Sequence, residues 1–78
     1  MYKNNLQFSV VYQQDEDGGF IATVPALPGC HTQGKDLPQT ILRIKEAVDL
    51  YIESLKSDKY IRQAAQRQVL VGTVMANG

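Results

Sequence analysis

The sequence has one cysteine, one histidine and no tryptophan, and only three prolines. A lone cysteine excludes an intramolecular disulfide and a zinc cage built from thiolates. No apolar run approaches the ~20 residues that a membrane-spanning helix requires. The N-terminal MYKNNLQF lacks the basic segment and apolar core of a signal peptide. A soluble, cytoplasmic chain with no membrane partner is therefore expected. Excess charge is missing too. Lys+Arg and Asp+Glu stand at 8 each, whereas a dedicated nucleic-acid or membrane-surface binder normally shows a net basic face. Seventy-eight residues make a single domain, 1–78, with no repeats. A chain this short buries only about 60–65% of its unfolded surface, so docking to a partner or to another copy would stabilise it.

Two of the three prolines lie in Val24–Gly34, VPALPGCHTQG, together with the cysteine and the histidine. Pro25 and Pro28 cannot donate ladder hydrogen bonds, which rules out a central strand there. The stretch reads as a strand end, a turn and a short return strand, Cys30–Gln33. Before it, Leu6, Phe8, Val10 and Tyr12 alternate with Gln7, Ser9, Val11 and Gln13, the period of a half-buried strand. QDEDG at 14–18 reads as a hairpin tip and GFIATV at 19–24 as the returning strand.

After the turn, Asp36 with Gln39 makes a capping-box pattern, and Pro38 suits a first helical turn. Leu37, Ile41, Ile44, Val48, Tyr51 and Leu55 then recur at steps of four and three, predicting one long amphipathic helix. Residues 57–68 are polar, and the sequence leaves loop or short helix open. Val69–Ala76, VLVGTVMA, is apolar on both parities, as in a strand buried on both faces or paired at an interface. The expected fold is α+β, β-β-β-α-β. It comprises a three-stranded antiparallel meander, a fourth strand parallel to the first, and one long helix across one face. The other face would carry Val11 and Ile21 and be covered by another chain.

The run FSVVYQQDEDGGFIATVPALPGCHTQG, followed by a helix ending AVDLYIESL, resembles the HicB-like antitoxin family. The matching positions are Asp17, Gly18, Gly19, Phe20, Ala22, Val24, Pro25, Leu27, Pro28, Gly29, Cys30 and Gly34, then Ala47 and Tyr51. The resemblance implies a partial, catalytically degraded ribonuclease H-like fold. It also implies a partner, a small HicA-like toxin that cleaves RNA. DNA binding, which many relatives owe to an added C-terminal domain, is not expected from this chain.

Candidate chemistry is sparse. Asp15, Glu16 and Asp17 form the densest acidic cluster, but consecutive acids on a hairpin tip diverge and lack calcium-loop spacing. A solvated or partner-facing patch is the better reading. A ribonuclease H-like nuclease needs carboxylates converging from two strands and the helix. Strand one and the fourth strand have none, and Glu46, Asp49 and Glu53 suit a wet helix face. Adjacent Cys30 and His31 on an extended segment point to opposite sides, so they make a poor nucleophile–base pair. Lys56, Lys59, Arg62 and Arg67 around Tyr60 are locally basic but lack an identifiable stacking platform for RNA.

No catalysis, metal or cofactor is expected. The expected function is neutralisation of a HicA-like toxin by occlusion of its active site. The proposed surface is Asp15, Glu16, Asp17, Pro28, Gly29 and Cys30. The alternative is a HicB-like orphan without a toxin, a homo-oligomer with a scaffold or ligand-binding role. In that reading Val69, Val71, Val74 and Met75 pair with a second copy.

Overall fold

The computed structural model describes residues 6–55, 58–67 and 69–77, leaving out the side chains of Asp58 and Lys59. Three strands, β1 (Val11–Gln14), β2 (Phe20–Thr23) and β3 (His31–Gly34), precede two helices, α1 (Leu37–Ser54) and α2 (Asp58–Gln66). The strands form an antiparallel meander in the order β1-β2-β3. Tyr12 stands opposite Ala22, and Ala22 opposite Thr32. α1 packs across β3 and β2.

The β1–β2 hairpin turns through Glu16, Asp17 and Gly18. Asp15 N–H donates to Gly19 O at 2.7 Å and Gly18 N–H to Asp15 O at 3.0 Å. Gly18 has φ +94°, a left-handed conformation that a side chain would oppose. β1 is shorter than the alternation at 6–13 predicts. Its partner strand gives way after Thr23 to the Pro25-containing turn, so residues 6–10 meet no ladder opposite them. They keep their alternation, with Leu6, Phe8 and Val10 half-buried between exposed Gln7 and Ser9.

The helix start follows the sequence closely. Asp36 is the N-cap, its carboxylate accepting from Gln39 N–H at 2.8 Å. Gln39 Oε1 accepts in return from Lys35 N–H, one residue earlier than a standard capping box. Asp36→Ala is expected to cost about 1 kcal/mol, and Asp36→Asn to restore most of it. A pair of thermal melts checks this, the alanine variant falling by roughly 4–8 °C.

The core combines Ala22, Val24, Leu27 and Cys30 with Ile44 of α1 and Ala64 of α2; Phe8, Val10, Ala47, Val48 and Tyr51 pack around it. The buried face of α1 is narrower than the predicted stripe and shifted. Thr40 is fully buried, whereas Leu37 and Ile41 are exposed. Thr40 can enter the core because its hydroxyl donates to Asp36 O at 2.8 Å.

Two expectations are corrected. Residues left open between loop and helix form α2, which buries Ile61 and adds Ala64 to the core, so the domain has two helices rather than one. The expected fourth strand is not seen among the described residues. Residues 69–77 pair with no strand among the described residues, and the fold shown is a three-stranded α+β sheet with helices.

Candidate functional site

The sequence groups the acidic tip and the Pro28–Cys30 turn as one surface. The β1–β2 loop and the β2–β3 loop stand at opposite ends of β2. With ~3.3 Å per residue along the four residues of β2, they are separated by the length of the strand. At the first end Glu16 and Asp17 are exposed and Asp15 is half-buried, its carboxylate accepting from Glu16 N–H at 2.8 Å. At the second end three hydrogen bonds shape the turn. Val24 N–H donates to Cys30 O, Leu27 N–H to Val24 O and Cys30 N–H to Leu27 O, at 2.9–3.0 Å. Gly29 takes φ +83°. This geometry exposes Pro25, Pro28 and Gly29 while sinking Ala26, Leu27 and Cys30 into the core.

Cys30 is therefore a support for the turn, and its side chain does not reach the surface. Burial pushes its thiol above the ordinary range, which lowers the thiolate fraction on which nucleophilicity depends. His31 is exposed on the opposite side of the chain.

Between the two loops runs the sheet face turned away from α1. Ala22 and Val24 point into the core, so the other parity, Val11, Gln13, Ile21 and Thr23, points outward with His31 and Gln33 opposite. Val11, Ile21 and Thr23 are half-buried, Gln13, His31 and Gln33 exposed. This face joins the acidic tip to the Pro28–Gly29 corner in one continuous surface.

Other candidate groups disperse. Glu46, Asp49 and Glu53 lie exposed on α1, and Asp49 meets Lys45 Nζ at 2.9 Å in a surface ion pair worth little. Among the described residues no three His, Cys, Asp or Glu side chains are grouped to hold a metal ion. Arg67 is a structural group: Nη1 donates to Ala26 O at 2.9 Å, tying the end of α2 to the proline turn. Lys56 and the Lys59 side chain lie outside the described residues.

A feature missed in the sequence is an open trough of about 740 Å³ on the helix side, between Leu6, Phe8, Val10 and Tyr12 and the α1 residues Ile41, Val48 and Ile52. The helical stripe reads as core only if the helix lies centrally. Here α1 sits over β3 and β2 and leaves its Ile41 edge facing a gap beside β1.

Comparison with known proteins bears on this arrangement. The family model described as the HicB-like antitoxin of bacterial toxin–antitoxin systems matches residues 8–74. The chain belongs to the HicB-like antitoxin family. It is 48% identical over 52 residues to a UPF0150 protein of Archaeoglobus fulgidus, covering 67% of this chain and 75% of that one. A UPF0150 protein of Thermoplasma acidophilum is 51% identical over 51 residues, 65% and 74% of the two chains. One from Helicobacter pylori is 43% identical over 51 residues, 65% and 69%. No solved structure matches. The HicB-like motif is explained by the turns and contacts above. Gly18 and Gly29 carry the positive φ values. Gly19 lies where a Cβ would stand 2.5 Å from Gly34 O. No described helix of the HicB-like domain is long and apolar enough to cross a membrane.

Proposed function

We propose that this HicB-like chain is an antitoxin that silences a small HicA-like, RNA-cleaving toxin by covering its active site. The family match over residues 8–74 carries this reading. The proposed contact surface is the outer sheet face between Asp15–Asp17 and the Pro28–Cys30 turn, with Cys30 contributing from beneath through the backbone it holds. Both helices lie on the other side, so the outer face can be occupied without disturbing the core. Blocking requires no chemistry from the chain, only a firm surface and about 1,200–2,000 Å² of total burial. The acidic tip would meet a basic patch and steer encounter.

Co-expression with a HicA-like toxin from the same organism tests the proposal. A stable co-purifying complex in which RNA cleavage stops is the expected result; a toxin that remains free and active overturns it. Within such a complex, the triple substitution Asp15→Ala, Glu16→Ala, Asp17→Ala is expected to weaken binding by roughly tenfold or more, mainly through slower association. The loss should shrink as salt is raised. Unchanged affinity in surface plasmon resonance would remove the tip from the interface.

A further inference from the structure

The segment 69–77, VLVGTVMAN, carries no charge and is rich in apolar residues on both parities, three of them valines. Leu70, Val71, Val74 and Met75 are 83%, 82%, 95% and 90% exposed. The segment leaves the domain beside Pro25 and Ala26, where Arg67 holds the Ala26 carbonyl. The chain has a radius of gyration of 14.3 Å, whereas a compact chain of this length has about 11.5 Å. An uncharged apolar segment this exposed is a binding element or an aggregation hazard.

The same molecule offers a matching vacancy. β1 is an edge strand with no partner on its outer side among the described residues. The opposite edge is blunted: Arg43 Nη1 donates to Gln33 O of β3 at 2.9 Å. Beside β1 lies the trough lined by Phe8, Val10, Tyr12, Ile41, Val48 and Ile52, open and predominantly apolar. The nine residues 69–77 would span ~30 Å as a strand, the length of the extended run 6–14. Strand, edge and trough agree in length and polarity.

We propose that segment 69–77 of one chain adds as a fourth strand to the β1 edge of a second copy, its apolar side chains filling that copy's trough, and that the exchange is reciprocal. Main-chain hydrogen bonds then close both free edges, and a two-fold axis relates the partners. Each protomer contributes the segment, the run 6–14 and the trough side of α1, about 25 residues in all, within the roughly 20–30 per side of a standard interface. The second copy is favoured over folding back because the segment already projects from its own domain, with Leu70, Val71, Val74 and Met75 almost fully exposed. The outer sheet face takes no part, so the assembly is independent of toxin binding.

The test uses the full chain alone. Sedimentation equilibrium at micromolar concentration is expected to give twice the 8.7 kDa protomer mass. The variant Val71→Asp, Met75→Asp is expected to dissociate it, weakening association by at least about tenfold. Its helical circular dichroism should be kept, since both positions are exposed in the protomer, while its urea midpoint should fall below that of the parent, which dimerisation raises with concentration. A mixture of a Tyr12→Cys chain with a Val71→Cys chain, treated with a short bismaleimide, should yield the mixed cross-linked dimer; Cys30 is buried and will not compete. A parent chain of monomer mass overturns the proposal. So does a dimer indifferent to Val71→Asp, Met75→Asp. So does a mixture that yields no cross-linked dimer while a chain carrying both Tyr12→Cys and Val71→Cys cross-links within itself, which would show the segment folding back on its own β1.

Discussion

Ile44→Asp is expected to abolish folding at 25 °C. Ile44 is 3% exposed and belongs to the core cluster with Ala22, Val24, Leu27, Cys30 and Ala64. The substitution removes a buried aliphatic side chain, worth about 2–5 kcal/mol when truncated. It also places a carboxylate among Ala22, Val24, Leu27 and Ala64, none of which offers a side-chain partner. A core this small rarely supplies more than about 3–5 kcal/mol of net stability. The loss therefore matches or exceeds the whole. Far-ultraviolet circular dichroism should show α1 melted rather than shortened, because an 18-residue helix without its apolar contacts is marginal in water. Ile44→Val, which removes one methylene, should stay folded and lose only about 0.5–1.5 kcal/mol. A folded, cooperative Ile44→Asp would mean that α1 does not depend on this core.

Gly34→Ala is expected to be the next most damaging single change. A Cβ there would stand 2.5 Å from Thr40 Oγ1, 2.9 Å from Thr40 N and 3.1 Å from Thr40 Cα. Two of those three atoms are helix backbone, which cannot rotate aside. Thr40 is itself fully buried, and its hydroxyl is held on Asp36 O. The added methyl can be accommodated only by lifting the first turn of α1 from β3, loosening the Asp36 cap as it does so. The expected cost is about 2–3 kcal/mol. Urea titration would read it as a lowered midpoint with an unchanged slope. Gly72→Ala, where a Cβ meets nothing within 4 Å, should change the midpoint little. Thr40→Ala in the Gly34→Ala background should recover only part of the loss, since the backbone clashes remain.

These two sites also show how far the sequence could be read. Where a structural rule is local, it was legible. Asp36 with Gln39 announced the start of α1, and the glycines after QDED announced a hairpin. Ile44 fell on the predicted stripe. Thr40 did not, because its burial depends on a hydroxyl bonded within its own helix, and periodicity counts threonine as polar. Helix α2 was ambiguous because one of its two buried positions, Ala64, is an alanine, which marks a face only weakly. Residues 69–77 have strand composition, but a strand needs an edge, and no local pattern specifies which edge, or whose.

The candidate surface divides in the same way. An exposed acidic tip could be anticipated from three consecutive acids. The separation of that tip from the Pro28–Gly29 corner followed from the meander itself, since consecutive hairpin loops fall at alternate ends of a sheet. The burial of Cys30 followed from the common habit of cysteine. The open trough could not be read, because it results from where α1 lies across the sheet rather than from its pattern of residues.

The one-sided placement of the helices has a further consequence, for how such a protein can change over time. Gln13, Thr23, His31 and Gln33 sit on a layer with no helix behind it, and their side chains support nothing beneath. Replacements there should leave stability within about 0.5 kcal/mol. The proposed contact surface can thus drift and diversify while Ala22, Val24, Leu27 and Ile44 stay as they are. The fold separates what must be kept from what is free to vary by the thickness of a single sheet.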